Sequence, residues 1–201
     1  CRIPESDFGM GCESGDAGCY LDEKPRHDVQ VSEFWIDKYE VTNQQYAQYL
    51  NDDNPSNQCE GHQCAYSVHP GFSGLYLSSG TWQVDSNYED RPVVFVSWYG
   101  AKAYCQSKGK RLPTEAEWEK TAKGPYMFIY PWGQKWRTQA SNWAESGDPY
   151  EVGNDPATTP VGYFDGTVHG SYDSADGASL YGPFDVSGNA WEWVSDWYLI
   201  D

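Results

Sequence analysis

Two segments of the chain have the polar–apolar pattern and the boundary residues of amphipathic helices. The segment VTNQQYAQYLND, residues 41–52, carries Thr42 near its start and Gln45 three residues later, which is the pattern of a capping box. The segment SWYGAKAYCQSKG, residues 97–109, begins with serine and ends with glycine, which are favoured at helix N-termini and C-termini. Both segments are predicted to be helical.

A third helix is predicted over PTEAEWEKTAKG, where Thr114 and Glu117 form another capping box and Gly124 ends the pattern. Strand patterns are short: HDVQVSEFWID over 27–37 and PVVFV over 92–96. Between these elements the chain is rich in turn residues and isolated aromatic residues. The pattern predicts an α+β, loop-rich chain with little regular secondary structure.

Composition narrows the function classes. The chain has 30 acidic and 13 basic residues, a formal charge of −17, which argues against nucleic acid as a partner because phosphates are bound by Lys and Arg. No apolar run approaches the roughly 20 residues that span a bilayer. An acidic surface also suits Ca²⁺, which binds carboxylate and carbonyl oxygens.

Four of the six cysteines form two closely spaced pairs, Cys12 with Cys19 and Cys59 with Cys64. This spacing in loops favours two short disulfides and an oxidising compartment. An alternative for CEGHQC is a metal site made by its two cysteines and His62. Cys105 lies in a predicted helix and is expected to be a buried thiol.

Cys1 is either the acylated residue of a lipoprotein or only the place where the given chain begins. Export is therefore inferred from the cysteines alone, and it predicts an extracellular, periplasmic or cell-surface protein.

Oxygen-bearing residues cluster in the stretch DVSGNAWE. Asp185, the backbone carbonyls of Gly188 and Ala190, and Glu192 fit one oxygen cage for a hard cation such as Ca²⁺. An alternative is that Asp185 caps a turn and the other acids are solvated.

A second oxygen-rich stretch covers residues 141–155, where Asn142, Asp148, Asn154 and Asp155 are candidates. The tryptophans near the end of the chain are most simply core residues. Alternatively, Trp191 and its neighbours line a groove, since an indole offers an apolar face and an N–H.

Taken in order, eight blocks resemble the formylglycine-generating enzyme (sulfatase-modifying factor) family. They are FGMGC, DEKPRHDV, FWIDKYEVTNQQY, the block from PVVFV to EKTAKG, YPWG, SNW, TTPVGYF and YGPFDVSGNAWEWVSDWY. The blocks span essentially the whole chain. They predict a single domain over residues 1–201, with the family's C-terminal segment apparently lacking.

The resemblance implies a C-type-lectin-like variant fold and structural Ca²⁺. It places one calcium site at Asp185, Gly188, Ala190 and Glu192, with Asp185 where some relatives have Asn. It places a second site at Asn142, the carbonyl of Trp143 and a later acid. That acid is assigned to Asp155, with Asn154 as the alternative, because the spacing departs from the family's.

The resemblance also implies two possible activities. The family's enzyme uses O₂ and copper bound by two cysteines to convert a sulfatase cysteine to formylglycine, and those cysteines follow the WEW block. None of the six cysteines here matches them, although Trp191 matches a tryptophan near the family's active site. Other branches bind ligands without catalysis. The expectation is therefore a noncatalytic module for a protein or glycan partner outside the cytoplasm, or a subunit of a surface assembly.

Overall fold

A computed structural model describes residues 1–13, 19–67, 74–151 and 158–198. Within these ranges the regular structure consists of short elements joined by long loops. The strands are β1 (Arg2–Ile3), β2 (Ser6–Met10), β3 (His27–Val31), β4 (Phe34–Trp35), β5 (Gln58–Cys59), β6 (His62–Gln63), β7 (Leu75–Ser78), β8 (Thr81–Val84), β9 (Val168–His169) and β10 (Tyr172–Asp173). The α-helices are α1 (Asn43–Asp52), α2 (Trp98–Ser107) and α3 (Glu115–Lys123). The α+β, loop-rich class is as predicted.

The helices begin and end where their capping residues predict. In α1 the Thr42 hydroxyl accepts the backbone N–H of Gln45, and the Gln45 side chain accepts the N–H of Thr42. The same reciprocal pair caps α3 through Thr114 and Glu117, and Ser97 caps α2. These interactions are local, so the sequence alone locates the helix starts.

The strands pair into separate antiparallel ribbons. In the described residues β1 pairs with β4, β2 with β3, β5 with β6, β7 with β8 and β9 with β10. The predicted strand over 27–37 is confirmed but divided, because β3 ends at Val31 and β4 begins at Phe34. A two-residue break therefore divides the predicted strand into β3 and β4, which pair in different ribbons.

The predicted strand over 92–96 is wrong. Only isolated bridges form there, between Thr42 and Pro92 and between Ala65 and Val96. Phe95 has a left-handed backbone with φ 58°, which interrupts an extended strand, and Pro92 offers no N–H to a ladder. The apolar residues serve instead as a loop that packs its valines on the core.

Two clusters of buried side chains hold the ribbons and helices together. The larger joins α1 to β5, β7 and β8, and consists of Tyr46, Ala47, Tyr49, Leu50, Cys59, Cys64, Ala65, Leu75 and Trp82. The smaller lies under β1 to β4 and consists of Ile3, Phe8, Val31 and Phe34. Tyr46 and Tyr49 make a ring contact at 5.5 Å, so aromatic rings supply much of the larger cluster's area.

The last described segment, residues 184–198, has no regular structure and lies against the N-termini of α2 and α3. Trp98 donates its indole N–H to the carbonyl of Val194 at 2.7 Å. Asp196 accepts the backbone N–H of Glu115, in the first turn of α3, at 2.8 Å. These contacts fix the segment that carries the predicted calcium ligands.

Candidate metal centre

The loop that begins at Asp185 is shaped by backbone conformations that favour glycine and asparagine. Asp185, Gly188 and Asn189 all have positive φ, at 61°, 94° and 60°. A Cβ at Gly188 would lie 2.2 Å from the carbonyl oxygen of Asn142, so only glycine permits this close approach. The DVSGN stretch therefore folds tightly against the segment at Asn142.

The loop borders a cavity of about 750 Å³. Its walls include the four predicted ligands of the first calcium site and two of the second: Asp185, Gly188, Ala190, Glu192, Asn142 and Trp143. Asp155 and its alternative Asn154 lie outside the described residues. The two predicted sites thus face one cavity, although their occupancy stays a prediction.

Asp185 is a buried carboxylate at this cavity. It is 7% exposed, and its Oδ2 accepts the backbone N–H of Gly162 at 2.5 Å. Burial raises the pKa of Asp185 to about 6, and the Gly162 hydrogen bond opposes that rise. One hydrogen bond therefore offsets only part of the cost of burying the charge.

Glu192 faces the same cavity, and its pKa is also raised. Burial of its carboxyl group raises the pKa to about 7; the nearby Trp118 indole opposes the rise and Asp185 adds to it. The residue as a whole is exposed, since part of its surface opens into the cavity, yet the carboxyl group lies among many protein atoms. Both pKa values are thus raised mainly by burial of the carboxyl groups.

The donor set fits a hard divalent cation. Among the described ion pairs, none joins a Lys, Arg or His to Asp185 or Glu192. Two carboxylates next to two loop carbonyls are the oxygen ligands that Ca²⁺ prefers. The ion's charge would remove the penalty that raises both pKa values.

Side chains alone do not form this site. In the described ranges, one group of three Asp, Glu, His or Cys ligands lies within 4.8 Å, and it is Cys12, Cys19 and Glu23. Its two cysteines are joined in a disulfide. The predicted calcium site takes half of its ligands from backbone carbonyls, so a cluster of acidic side chains is not required of it.

The second predicted site is less complete. The carbonyl of Asn142 accepts the N–H of Asn189 at 3.2 Å, and the side chains of these two residues are joined by a 3.3 Å hydrogen bond. Asp148 is buried but accepts from Ser146 and from the N–H of Tyr150 at 2.8 Å. Asp148 therefore holds its own turn together and does not line the cavity.

Two residues of the region were missed by the sequence patterns. Asn189 donates from Nδ2 to Glu40 Oε2 at 2.7 Å, across 149 residues of sequence. The Glu40 carboxyl is buried, and its pKa is raised well above the usual range, by burial first and then by Asp185 and Glu192. Nothing local marks Glu40, which precedes the cap of α1, so only the fold could reveal this contact.

The terminal tryptophans are not core residues. Trp191 is fully exposed, and Trp193, Trp197 and Tyr198 are also exposed. Their interpretation as core is therefore wrong, because the segment lies on the surface and fixes its rings by a few contacts only. Trp197 contacts Trp98 with ring centroids 4.8 Å apart.

The alternative interpretation of the tryptophans agrees with a neighbouring groove. A groove of about 600 Å³ adjoins the segment, and Trp191 and Trp193 line it together with Tyr39 and Glu40. Ala190, Trp191 and Glu192 border both the groove and the cavity. The same three residues thus connect the predicted calcium site to the groove.

Both predicted disulfides are present. Cys12 is bonded to Cys19, and Cys59 to Cys64. The metal-site alternative for CEGHQC is therefore wrong, and His62 instead stacks on Tyr99 with ring centroids 3.8 Å apart.

Cys105 is a half-buried free thiol, and burial is the main cause of its raised pKa. Cys1 is also free and half-buried. In the described ranges, no helix has the length and apolarity that a membrane crossing requires.

Comparison with protein families gives a match over residues 1–200 to the "Sulfatase-modifying factor enzyme 1-like domain". The chain is 33% identical to the formylglycine-generating enzyme of Thermomonospora curvata, over 99% of this chain and 71% of that protein. It is 29% identical to the inactive C-alpha-formylglycine-generating enzyme 2 of Bos taurus, over 98% of this chain and 70% of that protein.

Other similar proteins differ in length or name. Serine/threonine-protein kinase pkn1 of Chlamydia caviae is 34% identical over 90% of this chain, which spans only 25% of the kinase. Among solved structures, PvdO from Pseudomonas aeruginosa matches with a TM-score of 0.65 at 25% identity, over 98% of this chain and 70% of PvdO. CarF matches with a TM-score of 0.57 at 19% identity, over 99% of this chain and 80% of CarF, which supports the fold alone. These matches confirm the predicted fold class.

Proposed function

Because the chain belongs to the formylglycine-generating enzyme (sulfatase-modifying factor) family, we propose that it is a calcium-stabilised domain acting outside the cytoplasm as a noncatalytic binding or scaffolding module. Its partner is a protein or a glycan. Asp185, Glu192 and the carbonyls of Gly188 and Ala190 hold the ion. Bound calcium supplies positive charge that keeps two buried carboxylates ionised and ties the loop to the domain.

The exposed tryptophans carry the proposal of a binding role. Trp191 is fully exposed and Trp193, Trp197 and Tyr198 are exposed beside it, and a cluster of exposed large rings is typical of an interaction surface. The same few residues of chain also supply Ala190 and Glu192 to the cavity. Calcium would therefore fix the segment that presents the aromatic surface.

The two disulfides support an oxidising compartment. They agree with a site of action outside the cytoplasm, on the cell surface or in a periplasm. The net charge of −17 agrees with a partner other than nucleic acid.

The binding role is tested with immobilised arrays of glycans and of peptides, probed with the purified chain in calcium. We expect a signal on one array that Trp191→Ala and Trp197→Ala reduce at least about tenfold, as is typical of aromatic hot spots. Tyr126→Ala is the matched control, because Tyr126 is 67% exposed and lies outside the cavity and the groove. Equal signals from all three variants would contradict an interface at the tryptophans.

A second candidate function is supported by the identity of 33% to a protein named formylglycine-generating enzyme. In this alternative the chain belongs to a copper- and O₂-dependent oxidase of sulfatase cysteines, whose catalytic cysteines lie beyond Asp201. The test is to express the complete gene product and incubate it with copper, O₂ and a cysteine peptide of sulfatase type. An aldehyde that reacts with a hydrazide probe supports the oxidase, and an unchanged peptide supports the binding module.

A further inference from the structure

Glu40 is a buried acid without a cationic partner in the described part of the chain. Its Oε2 accepts a hydrogen bond from Asn189 Nδ2 at 2.7 Å, and its Oε1 is buried. The backbone N–H of Ala190 also lies close enough to oppose the rise in the pKa of Glu40. Burying an acid without a cation costs stability, so its contacts with Asn189 and Ala190 of the loop are informative.

Asn189 donates this hydrogen bond, and its other hydrogen bonds link it to two further segments of the chain. Its Oδ1 accepts the backbone N–H of Thr159 at 2.9 Å and Nδ2 of Asn142 at 3.3 Å. Its own backbone N–H donates to the carbonyl of Asn142 at 3.2 Å. Asn189 lies between Gly188 and Ala190, so whatever fixes its side chain also fixes the backbone of those two residues.

The chemistry of Glu40 decides which way the Asn189 amide points. The Oε2 atom of Glu40 accepts from Nδ2 of Asn189, and the backbone N–H of Thr159, which can only donate, gives its hydrogen to Oδ1. With an acceptor on one side and a donor on the other, one orientation of the amide satisfies both. Glu40 and Thr159 together therefore fix the orientation of the Asn189 side chain, and Asn189 is itself part of the cavity wall.

We infer that Glu40 is a positioning residue of the calcium site, acting through Asn189 to hold the backbone of Gly188 and Ala190 against the cavity. The inference rests on the proposed function, because it concerns the same calcium site. Glu40 itself contributes to the groove and not to the cavity wall. Glu40 would therefore change the affinity for calcium without being a calcium ligand.

Terbium luminescence measures the site directly, since Tb³⁺ replaces Ca²⁺ at oxygen sites and Trp118, Trp143 and Trp191 line the cavity as sensitisers. The experiment titrates Tb³⁺ into the intact chain and then displaces it with Ca²⁺. We expect Glu40→Ala to weaken binding by about tenfold or more, the usual effect of losing a residue that orients ligands. Glu40→Gln keeps an acceptor for Asn189 and should stay within about threefold of wild type.

A double-mutant cycle separates positioning from simple charge. If Glu40 acts through Asn189, then Glu40→Ala should weaken binding no further in a chain that already carries Asn189→Ala. Asn43→Ala is the control for general destabilisation, because Asn43 is fully buried and donates to Tyr88, Arg91 and Pro92 without lining the cavity. Its Tb³⁺ affinity should match wild type. If Glu40→Ala does not fold, Glu40→Asp, whose carboxylate is one methylene shorter, takes its place.

Three results would overturn the inference in distinguishable ways. Unchanged affinity in Glu40→Ala leaves calcium binding intact and removes the role of Glu40. Equal losses in Glu40→Gln and Glu40→Ala, with additive effects in the cycle, assign the effect to charge. A wild-type chain that shows no calcium-displaceable terbium signal overturns the proposed function as well.

Discussion

Two buried charged regions of the molecule are compensated in different ways. Lys120 of α3 is fully buried, and its ammonium donates to the carbonyls of Pro4, Ser6 and Val31 at 2.7, 3.1 and 3.3 Å. Three acceptors match the three donors of an ammonium group. At the cavity, by contrast, Asp185 and Glu192 have raised pKa values and no cationic partner among the described ion pairs. The ammonium of Lys120 is satisfied by acceptors of the chain itself, whereas the carboxylates at the cavity are suited to binding a cation.

The largest expected effect on stability comes from removing the buried ammonium of Lys120. Lys120→Met should lower the free energy of unfolding by about 3 kcal/mol, since it leaves three carbonyls without a donor. Urea denaturation measures it, and the loss should be the same with and without chelator. Lys110→Met is the control, because Lys110 pairs with Asp37 where both side chains are about half exposed, and its loss should change stability by less than about 1 kcal/mol. A loss that depends on calcium would mean that the two regions are coupled.

Removing calcium should have the next largest effect. Chelation should lower the free energy of unfolding by about 2.7 kcal/mol relative to calcium at 100 times its dissociation constant, because an ion bound only by the folded chain stabilises that state. Thermal melts with EDTA, and then with excess Ca²⁺, measure the change. A melting temperature that responds to neither addition would contradict the calcium site.

A single ligand substitution should reduce this response without abolishing the fold. Glu192→Gln removes one anionic ligand, and we expect about tenfold weaker calcium binding, or about 1.4 kcal/mol. Calorimetric titration checks the affinity. In EDTA the variant should be at least as stable as wild type, because the uncompensated charge is gone; lower stability in EDTA would contradict the account of Glu192.

The smallest effect concerns pH in the calcium-free chain. The pKa values of Asp185 and Glu192 are raised from 3.8 and 4.5 to about 6 and about 7, so between these limits the folded chain binds more protons than the unfolded chain. Its free energy of unfolding should therefore fall as pH rises from about 4 to about 7, by an amount on the order of 1 kcal/mol because the cavity is open to water.

Calcium should reverse this dependence, since the ion binds the ionised carboxylates. Denaturation at several pH values with and without Ca²⁺ tests both signs. A calcium-free stability that increases over the same pH range would contradict the assigned shifts.

The sequence predicted the features that depend on neighbours along the chain. Capping boxes located α1 and α3, and the spacing of Cys59 and Cys64 predicted a disulfide that is present. The calcium loop could be proposed because its candidate ligands lie within eight residues, Asp185 to Glu192. All of these signals are local.

Features that depend on distant contacts could not be predicted. The contact of Glu40 with Asn189 spans 149 residues, and no periodicity encodes it. The valines of 92–96 have a strand's composition, yet Phe95 has a left-handed backbone that the strand propensity of the stretch does not indicate. Likewise, aromatic content suggested a core role for Trp191, whereas burial is decided by which segments meet in space.

The tip of the β5–β6 ribbon is a suitable place to attach a tag to the protein. Its tip at Glu60 and Gly61 is tied at the base by Cys59–Cys64, and a Cβ added at Gly61 would meet nothing within 4 Å. The tip is not part of the cavity or the groove. A short epitope or an affinity tag inserted there lies outside the residues that line the cavity and the groove, so that the chain could be anchored to a sensor in a defined orientation.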